Sequence, residues 1–250
     1  MFQNQDKADF LVPSPARRAR LRFAASVKAL ALCLALFLAS AACAQVTMLN
    51  GPSNTVLAPP ASASEVGQVL AAGGSISIRI GNAPASADVI YQWYKTDSTG
   101  TKRLVQSGTS SAYTETAAGA GYYIYQLLMT NANQCSSEIS DPFKVYVLPA
   151  LSPGIAASSA TICSNGTSTS ILTAQAGAGS RFSYTYQWML NGAVVPGATS
   201  ATYTTSANAS GSNTYSVRVA YTLNPSVSAT ASQAINAIAV PGKPAISIGQ

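Results

Sequence analysis

The side chains able to move protons or hold metals are few in this 250-residue chain, and their placement excludes most chemistry. There is no histidine, which removes His-dependent triads, most zinc sites and the usual general base at neutral pH. Beyond residue 44 the acids are Glu65, Asp88, Asp97, Glu115, Glu138 and Asp141, scattered without metal-ligand spacing, and none follows Leu151. The stretch from Leu151 to Gln250, without Asp or Glu, cannot supply the carboxylate pair of glycoside hydrolysis or an acidic calcium site. The chain reads as a non-enzyme with no cofactor.

Charge gives no partner either. The formal net charge is +6, but residues 1–44 hold six of the fourteen Lys and Arg and two of the eight acids. Eight basic and six acidic residues remain beyond that stretch, a net of +2. Nucleic-acid binding needs clustered Lys and Arg that displace counterions from phosphates. No such cluster remains, and nucleic acid is set aside.

The basic residues near the N-terminus belong to an export signal instead. A basic stretch from Arg17 to Lys28 precedes an apolar run, Ala29 to Leu38, and then small residues ending Ala42-Cys43-Ala44. This order predicts a signal peptide cleaved after Ala44. Two rivals are weaker. A lipoprotein acceptor at Cys43 would want a Leu-like residue where Ser40 stands, and the neighbours of Arg17-Arg18 fit a twin-arginine signal poorly. The apolar run is too short for a comfortable membrane span, so no membrane insertion is expected after cleavage.

The elements that must position any site announce themselves by repetition. Tyr91-Gln92-Trp93 returns as Tyr186-Gln187-Trp188, and the text downstream of each copy repeats as well. A fixed internal period of this size marks tandem modules. Short alternating runs, broken by Gly, Asn and Ser clusters, supply the strands of an all-β sandwich. The first module reads as Ser75–Ile80, Val89–Tyr94, Tyr122–Met129 and Phe143–Val147. The second reads as Thr169–Ala174, Tyr184–Leu190, Thr214–Tyr221 and Ile235–Val240. Asn191-Gly192 predicts a type I′ hairpin turn, which needs positive φ at both central residues.

Paired prolines, Pro149 with Pro153 and Pro241 with Pro244, end one unit and stiffen a short linker. The organisation is then 1–44 signal peptide, 45–64 linker or N-terminal extension, 65–149 first module, 150–240 second module. Residues 241–250 read as a linker with the first strand of a third module, or else as a frayed tail. In a sandwich of this kind a Trp on the third strand packs between the sheets, the place of Trp93 and Trp188. Tyr123 and Tyr215 take the tyrosine-corner position. Ile78 with Tyr125 and Leu172 with Val217 stand where antibody domains carry a disulfide, so each core is hydrophobic.

These residues carry a resemblance. Thr161-Ile-Cys-Ser-Asn-Gly166, then Ile-Leu-Thr-Ala, Tyr-Gln-Trp, Asn-Gly, Gly-Ala-Thr-Ser and Tyr-x-Val-x-Val resemble the bacterial Ig-like/PKD-like tandem repeats of secreted and cell-surface proteins. The likeness covers roughly residues 65–240 and is fuller in the second module. It implies two tandem immunoglobulin-like β-sandwiches, surface display, spacing and adhesion, and no catalytic residues. In that family one Cys precedes strand B and another follows strand F. Here Cys135 keeps only the late position and Cys163 only the early one. Those loops sit at opposite ends of a sandwich, while a disulfide needs Cα atoms within about 7 Å. Unpaired thiols are therefore favoured over a Cys135–Cys163 bridge.

Strand parity gives the one candidate binding surface. If Trp93, Tyr123, Val145 and Val147 face the core, their neighbours face outward. Tyr94, Tyr122, Ile124, Leu128 and Tyr146 then form an exposed patch on the first module, with Gln92, Gln126 and Lys144 among them. Contiguous exposed aromatic surface tends to mark a contact site, and Tyr combines contact area with a hydroxyl. The implied partner is an extracellular polysaccharide or a protein surface. Two plainer readings compete: a one-residue register error, or coverage by the segment from Gln45 to Ser64. The function is accordingly an adhesion, binding or display module. The alternatives are a carbohydrate-binding appendage of a larger secreted enzyme and a purely structural spacer.

Overall fold

A computed structural model describes residues 49–81, 88–207 and 209–248. The leader, its cleavage after Ala44 and residues 45–48 lie outside that set. Fifteen strands and one short 3-10 turn, Ala63–Glu65, make up the regular structure of the described residues. The first module holds β1 (Gln68–Ala71), β2 (Ser75–Arg79), β3 (Ile90–Thr96), β4 (Lys102–Gly108), β5 (Ala112–Thr116), β6 (Gly121–Thr130) and β7 (Phe143–Leu148). The second holds β8 (Gly154–Ala157), β9 (Thr161–Cys163), β10 (Thr169–Gln175), β11 (Tyr184–Leu190), β12 (Ala193–Val194), β13 (Thr202–Ser206), β14 (Gly211–Tyr221) and β15 (Ser228–Ile238).

Each module pairs a five-stranded sheet with a smaller one. The orders are β1-β7-β6-β3-β4 with β2-β5 in the first, and β12-β11-β14-β15-β9 with β13-β10-β8 in the second. The modules share a plan, down to one strand running parallel to the last: β1 on β7 and β9 on β15. They differ at one position. In the second module β8 lies antiparallel against β10, whereas β2 pairs only with β5.

Alternation places the cores where period-2 patterning requires. β2 reads exposed-buried-exposed-buried-exposed, with Ile76 and Ile78 inward, and Trp93, Tyr123, Tyr125, Val145 and Val147 join them. Trp188, Leu172, Val217, Val219 and Ile235 fill the second core. Burying each such side chain stabilises by about 1.5–3 kcal/mol. Tyr123 makes a true tyrosine corner: its hydroxyl donates to Gly119 O (2.9 Å) and accepts from Gly119 N (3.0 Å). Tyr215 instead pairs its hydroxyl with that of Thr205.

Asn191 (φ 50) and Gly192 (φ 85) form the two-residue turn between β11 and β12. The longer turn of the first module is built by Asp97. Its carboxylate accepts from Thr99 N, Thr99 Oγ1, Thr101 N and Arg103 Nε at 2.6–3.0 Å.

Three details go beyond the sequence reading. The segment before Glu65, read as a linker or N-terminal extension, packs on the first module. Ser53 N donates to Tyr122 O (2.7 Å) and Tyr122 N to Asn54 O (2.8 Å), an approach open because Gly121 (φ 134) has no Cβ to strike Asn54 O. The strands β1, β4 and β5 and, in the second module, β8, β9, β12 and β13 escape the alternation test, being short or polar. Residues 241–248 carry no strand.

Candidate functional site

Tyr122 lies opposite Tyr146, Ile124 opposite Lys144 and Tyr94 opposite Gln126. Tyr94, Tyr122, Ile124 and Tyr146 therefore share one sheet face, away from Trp93 and Tyr123. They do not form an open patch. Tyr146 is 4% exposed, because the second module sits on it. Val69, Tyr146 and Leu148 of the first module and Phe182 and Tyr221 of the second form a third buried cluster. Tyr122 meets Tyr146 edge-on, centroids 4.8 Å apart, and donates its hydroxyl to Ala58 O (3.1 Å). Burial raises the pKa of both phenols. Gln126 is also buried, donating to Ser140 O (2.7 Å). Tyr94, Ile124 and Leu128 are half-buried and Lys144 is exposed.

The exposure expected of Tyr146 and Gln126 is thus corrected, and that of Tyr122 reduced. Parity within a strand tells which face a residue takes, and cannot tell that another module covers the face. The second module's contribution, Phe182 with Tyr184 and Tyr221, carried a signal of its own. Tyr221 stacks edge-on to Phe182 (5.2 Å) and lies 5.4 Å from Tyr184, an aromatic cluster in which only Tyr184 also packs on the module's own core. Two polar bonds complete the junction: Tyr221 OH donates to Pro149 O (2.9 Å) and Asn224 Nδ2 to Val69 O (2.8 Å).

A second feature went unread in the sequence. Lys95 is fully buried, with Nζ donating to Glu115 Oε1 (2.6 Å) and Leu49 O (3.0 Å). Tyr125 donates to Glu115 Oε1 and Tyr113 to Oε2, each at 2.7 Å. The ammonium stands 4.6 Å over the Tyr123 ring, within cation–π reach. Burial lowers the Lys95 pKa, opposed by Glu115, and raises those of Tyr113 and Tyr125. Every member is satisfied and the ammonium has no access to solvent, so the network ties Leu49 to the module rather than offering a nucleophile.

An apolar cleft of about 460 Å³ opens between the sheets of the first module, lined by Ile78, Ile80, Trp93, Leu127 and Phe143. At its floor the buried Trp93 Nε1 has no hydrogen-bond partner among the described residues, whereas Trp188 Nε1 donates to Ser200 O (2.9 Å). Among the described residues no three of His, Cys, Asp and Glu gather to hold a metal, and none of their helices is long and apolar enough to cross a membrane. Cys135 and Cys163 are both exposed and unpaired.

Fold and junction define a tandem pair of immunoglobulin-like sandwiches. Residues 59–149 match the family of the Ig-like domain, CHU_C associated; the match falls on the first module, where the residue likeness looked thinner. No curated protein sequence matches the chain. Among solved structures it is similar to the Clostridium thermocellum CbhA fibronectin(III)-like modules. There the identity is 16%, the TM-score 0.40, and the alignment covers 73% of this chain and 96% of that one. It is similar also to an amphioxus IgVJ-C2 molecule (15%, TM-score 0.36, 67% and 98%). A third likeness is to the four N-terminal Ig domains of Dscam1 isoform 8.4 (17%, TM-score 0.32, 69% and 44%), of which this chain spans less than half.

Proposed function

We propose that this chain is a non-enzymatic display module of a secreted or cell-surface protein, holding two Ig-like domains in a fixed end-to-end relation. The observation that carries the reading is the junction. A flexible string of beads would leave a polar linker between modules, but here five buried apolar side chains and two hydrogen bonds bind them. Domain interfaces that are apolar and well packed resist relative motion. The leader supports export, and the scarcity of titratable groups supports a role in presentation. Adhesion to a polysaccharide or protein would use surfaces outside the junction, where Tyr94, Ile124 and Leu128 are half-buried and Lys144 is exposed.

Small-angle scattering tests the rigid junction. The native chain should fit a single arrangement, and Tyr221→Ala should broaden the distance distribution while Trp93 and Trp188 keep their folded fluorescence. Native scattering from two freely jointed modules would refute the reading. For adhesion, Tyr94→Ser should weaken retention on bacterial polysaccharide or cells without lowering stability.

A further inference from the structure

The two modules differ by one strand, and the missing strand has a counterpart elsewhere in the chain. In the second module Ile78's equivalent is Leu172: each faces a Tyr across the ladder, Tyr113 and Tyr203. On the far side of β10 lies β8, with Ala157 opposite Leu172, Ala156 opposite Thr173 and Ile155 opposite Ala174. Ile155 and Ala157 pack on the second core from this position. Nothing among the described residues pairs with the same side of β2.

The open side can accept a strand. Ile80 N donates to Ser111 O, Ala117 N to Gly74 O and Gly73 N to Ala117 O, so residues 74, 76, 78 and 80 turn their backbone groups toward β5. Alternation then turns those of Ser75, Ser77 and Arg79 to the open edge. Beside that edge lies the 460 Å³ cleft with Ile78, Ile80, Trp93, Leu127 and Phe143 on its walls, where the second module has the side chains of β8.

The chain also carries a segment whose sequence is of this type. Pro244-Ala245-Ile246-Ser247-Ile248 follows the order of Pro153-Gly154-Ile155-Ala156-Ala157. Ile246 and Ile248 are 99% and 96% exposed, on a segment free of regular structure. We infer that Ala245–Ile248 of a second copy adds to the open edge of β2, antiparallel, linking copies of this chain head to tail. In the register of β8, Ile246 stands opposite Ile80, Ser247 opposite Arg79 and Ile248 opposite Ile78. Both isoleucines then enter the cleft while the backbone of Ser247 bonds that of Arg79, the mode of strand addition to a sheet edge. The acceptor, β2, and the donor, Ala245–Ile248, are different surfaces of one chain, a heterologous contact that builds rings or open chains rather than isologous pairs. This assembly does not depend on the display reading above.

A fluorescent peptide of residues 242–250, titrated with the purified full chain and followed by anisotropy, tests the inference. Saturable binding is expected, and replacing both isoleucines of the peptide by Ser should weaken it at least about tenfold, since each buried Ile adds substantially to affinity. Arg79→Pro in the chain should abolish binding. It removes an N–H facing the open edge and none from the β2–β5 ladder, and Pro is tolerated on such an edge. If that variant fails to fold, the peptide comparison alone decides. Sedimentation above the peptide's measured Kd should show association of the full chain, lost when it is shortened to Pro241. The inference is overturned if the peptide does not bind or if a scrambled peptide binds equally. It is equally overturned if the Ser-substituted peptide binds as well as the native one, or if the full chain stays monomeric above that Kd.

Discussion

Removing the charge of Glu115 should unfold the first module before the second. Lys95 is wholly buried and Glu115 is its only ionic partner among the described residues, at 2.6 Å, with a side chain only 14% exposed. In Glu115→Gln the amide oxygen can still accept from Tyr113 or Tyr125, but the ammonium is left without a counter-charge. Breaking a buried pair from one side costs about 3–5 kcal/mol, because the surviving charge stays desolvated. Lys95→Met should cost less, about 1–3 kcal/mol: the carboxylate keeps both tyrosine donors and some contact with water. The double variant Lys95→Met/Glu115→Gln should be more stable than Glu115→Gln alone, since no unpaired charge remains. The assay is urea unfolding by fluorescence in a Trp188→Phe background, where Trp93 reports on the first module alone. With a slope of about 1–3 kcal/mol per molar urea, the Glu115→Gln midpoint falls by about 1 M or more. A shift below about 0.3 M, or a double variant no better than the single, would show that the pair does not hold the module together.

Acid should weaken the first module through Asp97. Hydrogen bonds from the Thr99 hydroxyl, then Arg103, hold its carboxyl well below the ordinary value of 3.8, so the unfolded chain takes up the proton first and stability falls as pH drops below about 4; the urea midpoint between pH 5 and pH 2.5 measures this, and Asp97→Asn should flatten part of the decline. At the linker, Gly177 (φ 78) leaves no room for a Cβ beside the Ser152 carbonyl. Gly177→Ala should cost about 1–3 kcal/mol by overpacking, seen as a lower melting temperature, and an unchanged melting curve would contradict the packing of linker on module. Both Cys135 and Cys163 should react with a thiol reagent in the native, non-reduced protein; protection of either would contradict the exposed, unpaired thiols described here.

The core of each sandwich was legible because its rule is local. Side chains alternate along a strand, so Trp93 and Trp188 locate the inner face, and Tyr123, Val145 and Val147 follow by counting residues. The Asn191-Gly192 turn was equally legible, since the demand for positive φ is met by those two residues themselves. Lys95 shows where counting stops. Its parity points it inward with Trp93, yet only the arrival of Glu115 from β5 and Leu49 from the N-terminal segment explains how a charge can stay there.

Tyr146 marks the other boundary. The sequence by itself determined that this ring leaves the first core, and that the chain holds two modules separated by Pro149 and Pro153. Only the tertiary structure decided that the ring is buried, because its cover, Phe182 and Tyr221, lies tens of residues away and reaches it through the docking of one whole module on another. The same holds for the unpaired edge of β2. A strand's pattern states which residues face the core, whereas the presence of a neighbour depends on which segments the chain brings alongside it, and that is a property of topology rather than of local order.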